Sequence, residues 1–254
     1  MSLFDLTGRV ALITGGNRGI GLAMGRAMAG AGASIVIAGR SRDLNEAAAR
    51  EIESLGSSVL HLQVNVSDAG SCADLVNRAA EWRGGLDILV NNAGTNLRKP
   101  PQDYSLEEWH WILDTNLTSA FACSQSAYQR FRARGGGKII NIGSMFSLFG
   151  ASFAAAYAAS KGGMVQMSKS MASAWAAENI QVNVVLPGWI DTQLTRQARV
   201  DVEGLHDRVI ARTPAGRWGE PDDLAGIAVF LASHASDFVN GAVIPVDGGY
   251  AAQG

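Results

Sequence analysis

Arg9-Val-Ala-Leu-Ile-Thr14 runs directly into Gly15-Gly16-Asn17-Arg18-Gly19-Ile20-Gly21, and this junction decides how the chain is read. The first part is a short apolar run that suits a buried strand. Residues 18–31 then carry helical spacing, which Gly32 ends. Glycines at 15, 19 and 21 let the backbone turn tightly and approach a ligand closely. The helix start behind them offers unpaired N–H groups and a partial positive charge, a setting for a pyrophosphate. A purely structural turn would not require three glycines at this spacing. After the first strand of an alternating chain, the loop points to a dinucleotide.

Outward from this loop the alternation continues. Strands are read at 34–38, 58–66, 86–90, 137–143, 180–186 and 242–246. Helices are read over 42–55, from a cap at Asp68 to 83, and over 106–134, 153–178 and 221–233. Near-continuous apolar strands separated by helices specify a parallel sheet covered on both faces. The expectation is a Rossmann-type, doubly wound α/β fold of about seven strands, forming one domain over 1–254. The more polar stretch 192–212 is expected to be a partly helical flap, within a substrate-side segment at 189–215.

Composition narrows the classes of function. The 254 residues are 47% hydrophobic, enough for one substantial core. Net charge is −2 with no recurring basic block, which argues against nucleic acid and membrane as partners. No apolar run approaches the roughly 18 residues of a membrane span. Asp5 stands where a signal peptide would be apolar, so a cytoplasmic location is expected. Cys72 and Cys123 are read as isolated packing thiols. His61, His110, His206 and His234 lack ligand spacing, so no metal is expected.

A second constellation lies between 141 and 161. Ser144 sits at the mouth of a strand, and Tyr157 and Lys161 share one helix face, four residues apart. A hydroxyl, a phenol and an ammonium can therefore converge on one cleft. A free tyrosine has a pKa of about 10. A lysine one turn away is expected to favour its phenolate.

Thr14 with the glycines at 15, 19 and 21, Asn91-Asn92-Ala93-Gly94, Asn116, Ser144 with Tyr157-x-x-x-Lys161, and Pro187-Gly188 followed by Thr192 occur in order along the chain. Together they resemble the short-chain dehydrogenase/reductase family. The resemblance implies hydride transfer between a nicotinamide and a secondary alcohol or ketone. It implies catalytic roles for Asn116, Ser144, Tyr157 and Lys161, with Lys161 also on the nicotinamide ribose and Asn116 near a water-linked proton path. It places the cofactor on Gly15, Asn17, Arg18, Gly19, Ile20 and Gly21. Asn65 and Val66 would meet the adenine, and Asn92, Ala93 and Gly94 the central ribose. Tyr157, Lys161, Pro187, Gly188, Ile190 and Thr192 would contact the nicotinamide side. Family members assemble through helices like 106–134 and 153–178 and the last strand, so a homotetramer is expected.

The second strand ends Ala38-Gly39-Arg40-Ser41, with no acid before Asp43 to hold ribose hydroxyls. Arg40 and Arg18 suit a 2′-phosphate instead, which favours NADP over NAD; the alternative is two solvated arginines. The substrate is expected to meet Asn96, Arg98, Ser144, Met145, Tyr157 and Trp189, near Phe146, Phe149, Phe153, Asp191 and Gln193. Arg98 is either a carboxylate clamp or half of an exposed basic pair with Lys99. Thr95-Asn-Leu-Arg-Lys-Pro100, the stretch 214–219 and the stretch 240–249 resemble family members that oxidise gluconate or deoxygluconate, which implies a sugar acid or polyol. Two alternatives stand beside it. One is a 3-oxoacyl thioester reductase docking its carrier on Arg130, Arg132 and Arg134; the other is a non-catalytic nucleotide-sensing protein.

Overall fold

A computed structural model describes residues 3–253; positions 1, 2 and 254, which the one-domain reading includes, lie outside the described residues. Seven parallel strands form one sheet in the order β3-β2-β1-β4-β5-β6-β7. They are β1 (Val10–Thr14), β2 (Ser34–Gly39), β3 (Val59–Gln63), β4 (Ile88–Asn91), β5 (Gly137–Ile142), β6 (Ile180–Pro187) and β7 (Val243–Val246). Successive side chains of a strand face opposite ways, and both faces here are buried. Ala11 and Ile13 pack with α1 (Gly19–Gly30), α2 (Arg42–Glu53) and α9 (Ala225–Ala232). Val10 and Leu12 pack with α3 (Ala69–Glu81), α5 (Ser119–Arg134) and α6 (Ala155–Trp175).

After β3 the chain crosses back to lay β4 beside β1. The connections at the carboxyl ends of β1 and β4 therefore lead to opposite faces and leave a crevice, the place where open α/β sheets bind ligands. Thr14 and Asn91 pair in register at its base.

Several elements differ from the sequence-based expectation. β3 stops at Gln63 rather than 66, because Asn65 accepts from the Ser67 backbone and starts a turn. Asp68 then caps α3 by accepting from the Ser71 N–H at 2.9 Å. The helix over 106–134 is interrupted: α4 (Leu106–Leu113) passes through a π turn at Asp114–Thr118 before α5. The stretch 192–212 is more regular than expected. It forms α7 (Gln193–Asp201) and α8 (Leu205–Arg212), joined where Gly204 takes φ +65°. The helix before β7 opens as a 3-10 turn at Pro221–Leu224. Among the described residues, no helix is long and apolar enough to cross a membrane.

Candidate active site

The glycine loop is held by side chains from the next strand over. The Thr14 hydroxyl, 3% exposed, accepts from the Asn92 and Ala93 backbone N–H groups, both at 3.1 Å. Asn92 Nδ2 returns hydrogen bonds to the carbonyls of Thr14 and Gly15, at 3.0 and 2.9 Å. These bonds lock the ends of β1 and β4 together. A Cβ at Gly21 would lie 2.5 Å from both Asn92 Nδ2 and the Gly15 carbonyl, so no side chain fits there. Gly15 and Gly19 have φ +63° and +53°, in the region that favours glycine. Asn17 donates to the buried Asn45, which also donates to the Gly39 and Leu62 carbonyls and braces the end of β2. Sequence reasoning missed Asn45; its signal is an amide on the apolar face of an amphipathic helix.

The N-terminus of α1 has no side-chain cap and no acid in its first turn. Its N–H groups and the bare glycine backbone fit a pyrophosphate. Arg40 is exposed at the rim, and its guanidinium has no partner among the described residues. Arg18, the other candidate cation, is occupied, donating to the side chain of Gln193 on α7. Asn65 and Val66 line the same cleft, which continues past Asn92, Ala93 and Gly94 to Ser144, Tyr157 and Lys161 and encloses about 670 Å³. Pro187, Gly188, Ile190 and Thr192 line its other wall.

Asn116 lies in the π turn and is wholly buried. Its Oδ1 accepts from the Thr95 N–H at 2.8 Å, and its Nδ2 donates to the Thr95 carbonyl at 2.9 Å and to Ser160 Oγ at 3.0 Å. The amide is thus consumed in clamping the segment after β4, and Ser160 passes the link on to the Tyr157 carbonyl at 2.7 Å. The Ser144 backbone N–H donates to Ser147 Oγ, which donates to the Lys161 carbonyl at 2.9 Å. Ser147 therefore ties the strand mouth to α6. It too escaped the sequence reading, although Ser144-x-x-Ser147 has the spacing of a reciprocal cap.

Burial dominates the electrostatics of Tyr157 and Lys161. Lys161 is 3% exposed, donates to the Ile142 carbonyl at 2.7 Å and stands 5.7 Å from the centre of the Tyr157 ring. Burial lowers its pKa from 10.5 to about 8. Burial also raises the Tyr157 pKa above 10.0; a hydrogen bond with Ser144 and the charge of Arg98 pull it back. Two cations therefore bear on the phenol: Lys161, 5.7 Å from its ring, and Arg98, whose charge lowers its pKa.

The substrate side also departs from expectation. Arg98 is only 11% exposed; it pairs with Asp201 at 3.0 Å and donates to the Leu194 carbonyl at 3.1 Å. It is neither a free clamp nor an exposed pair with Lys99, which bonds Glu108 at 2.7 Å. Asp191 is bound by Arg196 and Arg199, so it is not a free acceptor for substrate hydroxyls. Phe146 meets Tyr157, Phe153 and Trp189 edge-on, forming the aromatic wall. Met145 lines the cleft beneath it. Phe149 does not join the wall; it packs on Tyr250 and Arg212. Arg130, Arg132 and Arg134 each bond within the chain, to Asn77, Glu178 and Asp87. Cys72 and Cys123, far from isolated, are free thiols packed against each other. Among the described residues, no cluster of His, Cys, Asp or Glu has the makings of a metal site.

A family model described as enoyl-(acyl carrier protein) reductase matches residues 15–251. A 2-dehydro-3-deoxy-D-gluconate 5-dehydrogenase of Formosa agariphila is 42% identical over 250 residues, 98% of this chain and 95% of that protein. A gluconate 5-dehydrogenase of Gluconobacter oxydans is 38% identical over 97% of this chain and 96% of its own length. The crystal structure of a gluconate 5-dehydrogenase from Burkholderia cenocepacia, in complex with NADP and tartrate, superposes with a TM-score of 0.94. It is 42% identical, covering 99% of this chain and 98% of that one.

Proposed function

The chain belongs to the short-chain dehydrogenase/reductase family, and from that premise we propose that it is an NADP-dependent oxidoreductase acting on a secondary alcohol of a sugar acid. The observation that carries this reading is one cleft with an open helix N-terminus and unpartnered Arg40 at one end and Ser144, Tyr157 and Lys161 at the other. The bound nicotinamide supplies or accepts the hydride. Ser144 holds the substrate oxygen beside Tyr157, and the tyrosine hydroxyl gives or takes the proton. Arg98 makes the phenolate less costly. Lys161 keeps a positive charge under the ribose position, and Asn116 keeps the loop from Thr95 to Arg98 in place. Arg40 reads the 2′-phosphate by charge-assisted hydrogen bonds.

The sugar-acid assignment draws on the relatives named gluconate and 2-dehydro-3-deoxy-D-gluconate 5-dehydrogenases, and the NADP assignment on the NADP complex. The thioester-reductase alternative shares the chemistry, but the arginines it needs for a carrier are engaged by the chain's own residues. The same reading includes a homotetramer in the cytoplasm. Trp111 and Phe121, 41% and 46% exposed along α4 and α5, suit a helix-to-helix interface. Two free thiols in contact suit a reducing compartment. A monomeric mass in solution at micromolar concentration would remove the tetramer.

The test is a kcat/KM panel: NADP(H) and NAD(H) with gluconate, 5-ketogluconate, 2-dehydro-3-deoxygluconate and an acetoacetyl thioester. The expected result is turnover of a sugar acid with preference for NADP(H). Arg40→Asp should reverse that preference, shifting the ratio by about 100-fold. Tyr157→Phe should fold and bind cofactor but lose about 10²–10⁴ in kcat. Preference for NAD in the wild type, or thioester turnover alone, overturns the reading.

A further inference from the structure

Arg40 stands on a very short link. β2 ends at Gly39 and α2 begins at Arg42, so Arg40 and Ser41 are all that joins them. The place of this link decides where the exposed guanidinium can reach. Its backbone is pinned from several directions. The Gly39 carbonyl accepts from the Val64 N–H and from Asn45 Nδ2, both at 3.0 Å. The Arg40 carbonyl accepts from Gln63 Nε2 at 3.0 Å, and the Ser41 carbonyl from the Asn45 N–H at 3.1 Å.

Asn45, wholly buried, does more than close this turn. Its Nδ2 also donates to the Leu62 carbonyl at 3.0 Å, and its Oδ1 accepts from Asn17 Nδ2 at 2.7 Å. These partners fix which way the amide points. Carbonyls only accept, so the end facing Gly39 and Leu62 is the NH2 group and the end facing Asn17 is the oxygen. Asn17 lies in the glycine loop, beside the backbone that suits a pyrophosphate. One buried side chain therefore ties that loop to the end of β2 and to β3. Gly39 shows how tightly. A Cβ there would lie 2.4 Å from Asn17 Nδ2 and 2.6 Å from Asn45 Oδ1. Gly39 is not among the residues with positive φ, so it provides room for the amide pair rather than backbone freedom.

In NADP the 2′-phosphate and the pyrophosphate hang on the same ribose, so the cofactor sets the distance between them. A protein that reads both must hold its two binding groups at a matching distance. We propose that Asn45 is the positioning residue for Arg40: by tying the glycine loop to the end of β2, it sets the guanidinium at the spacing from the pyrophosphate cradle that a 2′-phosphate needs. Asn45 does not itself line the cleft; it acts through the backbone of residues 39–41. The inference rests on the reading of the cofactor as NADP.

The experiment measures the Kd of NADPH and of NADH by calorimetry, a matched pair that differs only in the 2′-phosphate. Wild type should bind NADPH at least about tenfold more tightly. Asn45→Ala should cut that preference about five- to tenfold, chiefly by weakening NADPH. Gly39→Ala wedges the amide bridge apart without removing a polar group and should cut the preference too. Half-buried Asn17 can give way to it, so this variant folds and decides the matter if Asn45→Ala does not. With Arg40→Ala already in place, neither change should move the ratio further. Equal weakening of both cofactors marks a merely structural role and overturns the proposal. An undiminished preference overturns it as well, as does a drop of the same size in the Arg40→Ala background. A wild type that does not prefer NADPH defeats the NADP reading itself, and this inference falls with it.

Discussion

On the glycine-loop side of the cleft, Thr14, Asn92 and Asn45 bond to backbone groups inside or at the end of the sheet. On the opposite side, α7 is held mostly by charged and polar side chains near the surface, Arg18 on Gln193 and Asp191 between Arg196 and Arg199, with the more covered Arg98 on Asp201. A buried donor or acceptor left unpaired costs about 1–3 kcal/mol, whereas exposed ion pairs contribute about 0–1 kcal/mol. The first wall is therefore a preformed cradle for a constant ligand. The second is a cover whose bonds are weak enough to exchange when a variable ligand enters. That division suits a fold in which the cofactor is shared and the substrate is not.

Removing the Thr14 hydroxyl is the strongest way to break the contrast. Thr14→Val leaves the Asn92 and Ala93 N–H groups without their acceptor. Denaturant unfolding should register a loss of about 2–4 kcal/mol, with weakened cofactor binding. A loss below about 0.5 kcal/mol would show that the cradle is not what holds β1 to β4.

Lys161 gives a middle-sized effect with a pH signature. Its pKa falls from 10.5 to about 8 on folding. Between those values the unfolded chain binds more protons, so stability rises with pH across that window. Below about 8 the full cost of the buried ammonium is present, on the order of 3 kcal/mol before its bond to Ile142 is counted. Lys161→Met should therefore melt higher than the wild type at pH 7, by about 1–2 kcal/mol once the lost bond is offset. The difference should shrink as pH rises through 8 toward 10.5. An advantage that does not change with pH would mean that packing, not charge, is responsible.

The smallest effect on stability is expected at the cover. Asp201→Asn removes the ionic part of the Arg98 contact but keeps an oxygen acceptor for the largely covered guanidinium, and should cost about 1 kcal/mol. It frees the Arg98 charge for a substrate carboxylate, so KM for a sugar acid should fall several-fold while the Kd for NADP holds. A rise in KM for acidic and neutral substrates alike would make the pair a simple strap.

Much of the fold could be read in advance because it depends on local spacing. Alternating apolar runs, the cap at Asp68 and the glycines at 15, 19 and 21 act within a few residues of themselves. The candidate site was partly legible for the same reason: Tyr157 and Lys161 are one helical turn apart. The π turn was not, since nothing in its composition distinguishes Asp114–Thr118 from ordinary helix. Asn45 and Ser147 went unnoticed because their importance lies in carbonyls far along the chain. Arg98 shows the limit most clearly. Its type suggested a free anion clamp, but its partner is 103 positions away.

Sequence alone thus determined the layered α/β architecture, the dinucleotide loop and the hydroxyl, phenol and ammonium that meet in the cleft, because each follows from periodicity or from backbone freedom at particular residues. Tertiary structure decided which of the charged groups remain available. It left Arg40 unpartnered while engaging Arg18, paired Arg98 with Asp201, and turned Lys161 toward Ile142. Charge is set by residue type, but its availability depends on which groups the fold brings within a few ångströms and how much water it removes.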